Sequence, residues 1–437
     1  MTQPLDRDAG LRRNIGPLAF AAAIVNGVVG AGIFTLPAPM AQVAGALAPL
    51  AYLLCALAMA MVVICLAEAG SRMPTSGGVY GYVTFAFGPL TGFVAGMLTW
   101  MASVLACGGI AGAFATTLGT VLPGAGTGAG RAAVILLAIG VPALVNLRGV
   151  RGGAGLVSVM TAVKLMPLLL FLLIGAVAFS RVPAAHALSA PASGLAQAVI
   201  LAVFAFSGME TLLGASGEVR DAHRNLPLAL FVAMGFVLVL YVGIQLVAQL
   251  LLGAELAHAA APLAEAAARV SPLAGHVLVA GAGLSMLGWI ASDVLGGPRI
   301  LFAFARDGLL PPVLGRAHPG TGAPDAAIVA HAAVAAGFAL SGSFTGLVVA
   351  STLNTAALYC LGCAASWVLH RRGTRMLGPP INLRGLPAAS VAGMAAMVAL
   401  VCVAPGSEIF GLAMVIVASC GLFGVARVVQ RKKGLLF

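Results

Sequence analysis

The chain has 437 residues, 61% of them hydrophobic and 8% charged, with a mean hydropathy of +1.08 and a formal net charge of +11. A soluble domain carries roughly 25% charged residues, so the composition excludes one and points to an all-α integral membrane protein. A membrane barrel is excluded too, because barrel strands alternate apolar and polar residues over short segments.

Apolar runs long enough to cross a bilayer predict twelve transmembrane helices, over about 16–43, 47–70, 89–121, 131–148, 153–180, 194–216, 226–253, 272–305, 325–341, 344–370, 384–404 and 407–428. The first run is too long for a signal-peptide core and is read as a retained span. The stretch 71–88 is polar, Gly-rich and aromatic, and is expected to be cytoplasmic and partly re-entrant. Segment 254–271 reads as an external amphipathic loop or a short helix, and 306–324, with Pro311, Pro312, Pro319 and Pro324, as a linker. The short termini leave no room for a soluble regulatory domain. With both termini cytoplasmic, every Lys and Arg except Arg131, Arg181, Arg269 and Lys164 falls on the inner side. That is the positive-inside rule. The basic balance therefore reports topology in a plasma membrane and contact with the lipid bilayer, with no nucleic-acid partner.

Two spans are interrupted at mid-depth. The first reads Asn26-Gly27-Val28-Val29-Gly30-Ala31-Gly32-Ile33-Phe34, and the sixth reads Phe204-Ala205-Phe206-Ser207-Gly208-Met209-Glu210-Thr211. A membrane helix has no water to satisfy broken backbone, so unwinding survives where it lines a cavity or binds something. Paired interruptions in corresponding positions point to a transporter's binding site. At the first, Gly30, Ala31 and Gly32 would open a helix whose amides suit a carboxylate. Packing is the alternative for Gly-x-Gly. At the second, carbonyls of Phe204 to Ser207, with that of Val28, could accept an ammonium. Carboxylate and ammonium together describe an amino acid. Phe204 or Phe206 is a candidate gate.

Ionisable residues inside spans are functional candidates by default. Glu210 is a candidate proton carrier or counter-charge, the alternative being an acid bonded to unwound backbone. Lys164 lies ten residues into its span, roughly 15 Å deep at about 1.5 Å per residue, too deep to snorkel; it could stand in for a sodium ion or pair with an acid. Asp293 follows Trp289 by one helical turn and could face the substrate side chain or pair with Lys164, while Trp289 reads as packing. Ser103, Cys107, Met209 and Asp293 are taken to line the side-chain pocket. Glu68 lies near the inner end of its span, within reach of interfacial water.

All seven cysteines lie in apolar runs, and Cys360-x-x-Cys363 reads as packing rather than a redox or metal pair. His186, His258, His276 and His318 show no metal-ligand spacing, and neither metal nor cofactor is expected. Gly214-Ala215-Ser216-Gly217 imitates an intramembrane serine-protease motif, with His331 in another span. A dyad would require contact, yet Ser216 sits at the helix end beside Glu218 and Arg220.

Four motifs carry a family resemblance. Gly27-Val28-Val29-Gly30-Ala31-Gly32-Ile33-Phe34 resembles the first-span signature of the amino acid–polyamine–organocation superfamily. Glu68 to Tyr82 is similar to its loop after span two, Gly217 to Pro227 to its motif after span six, and Pro298-Arg299 with Ala305 to Pro311 to the end of span eight. The resemblance covers nearly the whole chain. It implies a LeuT-type five-plus-five inverted repeat, with broken helices 1 and 6, about 16–180 and 194–370 as repeats and 384–428 as two appended helices. It places substrate carboxylate on Gly30, Ala31 and Gly32, and ammonium on carbonyls near Val28, Phe204 and Ser207. Phe204 falls where the arginine/agmatine antiporter has a gating tryptophan, Glu210 matches an acid implicated there in proton sensing, and Lys164 matches the lysine of sodium-independent members. Ala31 departs from the commoner Ser or Thr, and Asp293 stands where that antiporter has a tryptophan, so arginine specificity is not carried over.

The expectation is a single-domain amino acid permease working by alternating access, sodium-independent, with proton coupling or exchange. A polyamine or organocation antiporter is the alternative. Remoter rivals are an intramembrane enzyme, a channel, which lacks a pore-lining charge ring, and a transport-dead sensor.

Overall fold

Proline and glycine decide where the helices begin and end. The computed structural model describes residues 15–30, 32–73, 78–148, 154–178, 192–213, 216–376 and 379–432. Ala31 and Arg181, assigned from sequence to the carboxylate site and the outer face, lie outside the described residues. The first predicted span becomes three pieces, α1 (Pro17–Val28), α2 (Gly32–Thr35) and α3 (Pro37–Ala44). Pro17 and Pro37 each start a helix, where a missing N–H costs nothing. Next come α4 (Ala48–Arg72), α5 (Gly78–Phe87), α6 (Pro89–Gly119), α7 (Gly128–Leu147) and α8 (Ala154–Ala178). The second half opens with α9 (Leu195–Phe206) and α10 (Met209–Leu213), which flank the second predicted break. There follow α11 (Ala222–Leu252), α12 (Pro262–Ala268), α13 (Pro272–Gly296), α14 (Pro298–Arg306), α15 (Asp325–Ser341), α16 (Phe344–Arg371), α17 (Leu386–Cys402) and α18 (Gly406–Lys432).

Among the described residues, eight helical stretches are long and apolar enough to cross a membrane. Four shorter apolar helices, Pro17–Val28, Lys164–Ala178, Asp325–Ser341 and Leu386–Cys402, accompany them. Two features refine the sequence reading. The predicted eighth span is one stretch, Pro272–Arg306, with an irregularity at Gly297, because Pro298 cannot donate to the helix before it. The external loop at 254–271 is mostly structured, with a 3₁₀ turn at Gly253–His258 and α12, whose Leu263, Ala266 and Ala267 are buried.

Burial sorts the helices. α6 and α16 are largely buried and pack on each other. α7 and α18 turn Leu136, Leu137, Val141, Phe410, Met414 and Val417 outward, as a lipid-facing shell should. Apolar burial drives little association between helices in lipid, so close packing and interhelical hydrogen bonds matter more. Ser351 Oγ donates to Ala102 O at 2.8 Å, Ser366 Oγ to Cys65 O at 2.7 Å and Asn146 Nδ2 to Val294 O at 2.9 Å. Each joins a different pair of helices. One strand-like bridge, Ile15 with Val219, ties the entry of α1 to the loop after α10.

Candidate functional site

The two breaks meet. α1 ends at Val28, and the Gly30 N–H turns back onto Val28 O at 2.8 Å. α2 then starts at Gly32, and its first N–H groups have no helical carbonyl ahead of them. In the second break, α9 ends at Phe206, Ser207 is extended, and Gly208 takes φ +116°. A side chain is rarely tolerated at that angle. A Cβ on Gly208 would also stand 2.6 Å from Gly27 O, so the backbones of the breaks are in direct contact.

Aromatic rings cover the first break. A Cβ on Gly30 would lie 2.9 Å from Cδ1 of Trp289, and one on Gly32 would lie 3.1 Å from Cε1 of Phe204. Phe204 and Trp289 are half-buried at these positions. Trp289, read from sequence as packing, thus stands at the break itself. Phe206, the other gate candidate, is buried against Tyr241 and Tyr52 at centroid distances of 5.5 and 6.4 Å. It belongs to the core, which removes it as a gate. Met209 is fully buried, and Ser207 Oγ donates to Val203 O at 2.8 Å.

Polar side chains brace the unwound backbone. One oxygen of Glu210, Oε2, accepts the Gly208 N–H at 2.9 Å and the Tyr359 hydroxyl at 2.5 Å. The Tyr241 hydroxyl donates to Val28 O at 3.0 Å. Val28 O therefore already has two donors in this conformation, and its predicted ammonium would compete with them. Lys164 is buried and donates from Nζ to Asn26 O at 3.4 Å, one residue before Gly27.

Asp293 does not pair with Lys164. It accepts a short hydrogen bond from Ser103 Oγ and lies 3.0 Å from His331 Nε2. Ser103 and Cys107 are one turn apart on α6, so both reach it. His331 Nε2 is thereby committed to Asp293, which leaves the imagined dyad with Ser216 without its base. Glu68 also differs from its reading: it is fully buried. Arg72 Nη2 at 2.7 Å, His370 Nδ1 at 2.6 Å and the Leu383 N–H at 3.2 Å surround its carboxylate. The chain after α16 folds over it and excludes the interfacial water.

Sequence reasoning missed Tyr241 and Tyr359 and met His331 only as part of a protease-like decoy. A signal existed: the chain has five tyrosines, and a buried hydroxyl demands a partner. A tyrosine inside a span therefore marks something to be held.

The family model for amino acid permeases matches residues 15–425. The chain belongs to the amino acid permease family. An uncharacterized transporter of Mycobacterium tuberculosis is 30% identical to this permease, over 99% of this chain and 96% of its own. The methylthioribose transporter of Bacillus subtilis is 26% identical, over 73% and 72% of the two chains. The large neutral amino acids transporter small subunit 2 of Oryctolagus cuniculus is 28% identical, over 70% and 60%. Its family, and the transporter names of these relatives, indicate a multi-pass membrane protein that transports a small molecule.

Proposed function

We propose that this permease is a secondary active transporter of amino acids in the plasma membrane, with both termini cytoplasmic. The reading takes twelve spans in a LeuT-type five-plus-five arrangement, the four shorter apolar helices counting as spans. The observation that carries it is the backbone contact between the two breaks at Gly27 and Gly208. Unpaired backbone at that depth is costly unless a ligand completes it.

In this reading the substrate carboxylate sits on the first turn of α2, from Gly30 through Ala31 to Gly32, with the helix dipole behind it. The ammonium takes carbonyls at the ends of α1 and α9, from Val28, Phe204 and Ser207. Tyr241 yields Val28 O when substrate arrives. Phe204 closes over the site, and Met209 and Asp293 face the side chain. Lys164, anchored on the backbone of α1, holds positive charge where a sodium ion would otherwise be needed, so transport is sodium-independent. Glu210 carries the coupling proton if transport is proton-driven, and only braces the break if transport is exchange. A cationic amino acid or polyamine is favoured by one observation: Asp293 pairs with no lysine or arginine among the described residues.

Gly30→Val tests the carboxylate site. The added atoms meet Trp289, so the folded, monodisperse variant should lose measurable substrate binding. Binding at wild-type affinity would contradict the assignment.

A further inference from the structure

The cluster around Asp293 holds more chemistry than substrate recognition requires. Cys107 on α6, Asp293 on α13 and His331 on α15 bring a sulfur, a carboxylate oxygen and an imidazole nitrogen within 4.8 Å of one another. Cys107 and His331 are fully buried and Asp293 nearly so. We propose that Cys107 Sγ, Asp293 Oδ2 and His331 Nε2 form a binding site for one borderline-soft divalent metal ion of the zinc type. This goes beyond the transport reading; in the metal-bound form Asp293 is a ligand and no longer faces the substrate, so the cationic preference belongs to the metal-free form.

The donor set selects the ion. Thiolate with imidazole and carboxylate suits zinc or cobalt rather than magnesium or calcium, which take oxygen ligands. A three-ligand zinc site keeps a fourth position open. Ser103 Oγ, already bonded to Asp293, or water would fill it.

Charge balance argues the same way. Without metal the cluster holds one carboxylate, and its one ion-pair partner among the described residues is His331. His331 Nδ1 is buried without a partner. The neutral ring with its proton on Nε2 is therefore the form that leaves no buried N–H unmet. Binding displaces the thiol proton of Cys107 to solvent and moves the imidazole proton from Nε2 to Nδ1. A +2 ion with thiolate, carboxylate and neutral imidazole then sums to zero.

The relocated proton would have a backbone carbonyl nearby. The point where a Cβ on Gly297 would stand is 2.8 Å from Nδ1 and 3.1 Å from Asp293 O. Asp293 O already accepts the Gly297 N–H at 2.7 Å, and the missing side chain leaves the space between that carbonyl and Nδ1 unfilled. Metal-bound histidines characteristically donate their second ring N–H to such a carbonyl. Gly297 thus has a use in the site that helix geometry alone does not demand.

The test is Co²⁺ titration of the purified, tag-free full chain, followed by optical absorption. Wild type should take one ion per chain, with a near-ultraviolet thiolate band and tetrahedral visible bands. Cys107→Ser should lose the thiolate band, and His331→Gln and Asp293→Asn should weaken binding at least about tenfold. Cys363→Ser, at a thiol outside the cluster, should keep the full spectrum. All variants are first shown to be monodisperse. No thiolate band in wild type at sub-millimolar Co²⁺, or an unchanged band in folded Cys107→Ser, would overturn the proposal. Because the readout is optical, failure here leaves transport untouched, and failure of transport leaves the spectrum interpretable.

Discussion

Gly208→Ala separates the two-break geometry from ordinary helix packing. Gly208 has φ +116°, and holding a residue with a side chain in such a region costs about 1–3 kcal/mol. Its new Cβ would stand 2.6 Å from Gly27 O, a backbone atom that no rotamer change can move away. Overpacking of this kind costs about 1–3 kcal/mol more. Gly235 supplies the opposite case. It lies inside α11 with nothing within 4 Å of its would-be Cβ, and alanine in a helix interior is favoured over glycine by roughly 0.5–1 kcal/mol. Fluorescence-monitored thermal unfolding of the detergent-solubilised protein reads both. The Gly208→Ala midpoint should fall clearly below wild type, and the Gly235→Ala midpoint should equal or exceed it. Gly208→Ala melting at or above wild type would refute the claim that the breaks touch at this residue.

Further predictions concern the buried acids Glu210 and Glu68 and their partners. Glu210→Gln should flatten the pH dependence of uptake, measured across a pH series in proteoliposomes; an unchanged profile would remove Glu210 as the proton carrier. Tyr359→Phe should lower the thermal-unfolding midpoint, because a buried hydrogen bond to Glu210 is lost, at about 0.5–1.5 kcal/mol. Glu68→Gln should destabilise strongly, by about 3–5 kcal/mol, since it leaves Arg72 buried without its carboxylate. The double variant with Arg72→Gln should melt higher than Glu68→Gln alone, and equal midpoints would argue that the pair does not act as a unit.

The breaks were legible in the sequence because they are local. Gly27 to Gly32 and Ser207-Gly208 interrupt apolar runs within a few residues, and no distant contact is needed to see that a helix fails there. Prolines likewise mark helix starts at Pro17, Pro37, Pro89 and Pro272. What stayed hidden depends on which faces of different helices meet. Membrane helices are apolar nearly all round, so they lack the one-sided pattern that reveals a buried face in a soluble protein. Asp293 therefore gave no sign that its partners come from α6 and α15 rather than from Lys164. Histidine and cysteine spacings along the chain showed no metal motif, because Cys107, Asp293 and His331 are brought together by three separate helices. Glu68 was misread for the same reason. Its exposure is decided by Ile381 and Leu383, whose N–H groups reach Ser71 Oγ and Glu68 Oε2 at 3.2 Å from more than 300 residues away.

Uptake into proteoliposomes in sodium-free choline buffer decides whether this permease carries amino acids. The panel holds labelled cationic and neutral amino acids, putrescine and methylthioribose, each with and without unlabelled substrate trapped inside. The account predicts uptake of amino acids or of putrescine without sodium, with cationic compounds preferred. Dependence on trapped substrate would then assign exchange, and its absence proton coupling. Strict dependence on sodium would contradict the role given to Lys164, and uptake confined to methylthioribose, or absent for every compound with folded protein, would contradict the amino acid reading itself.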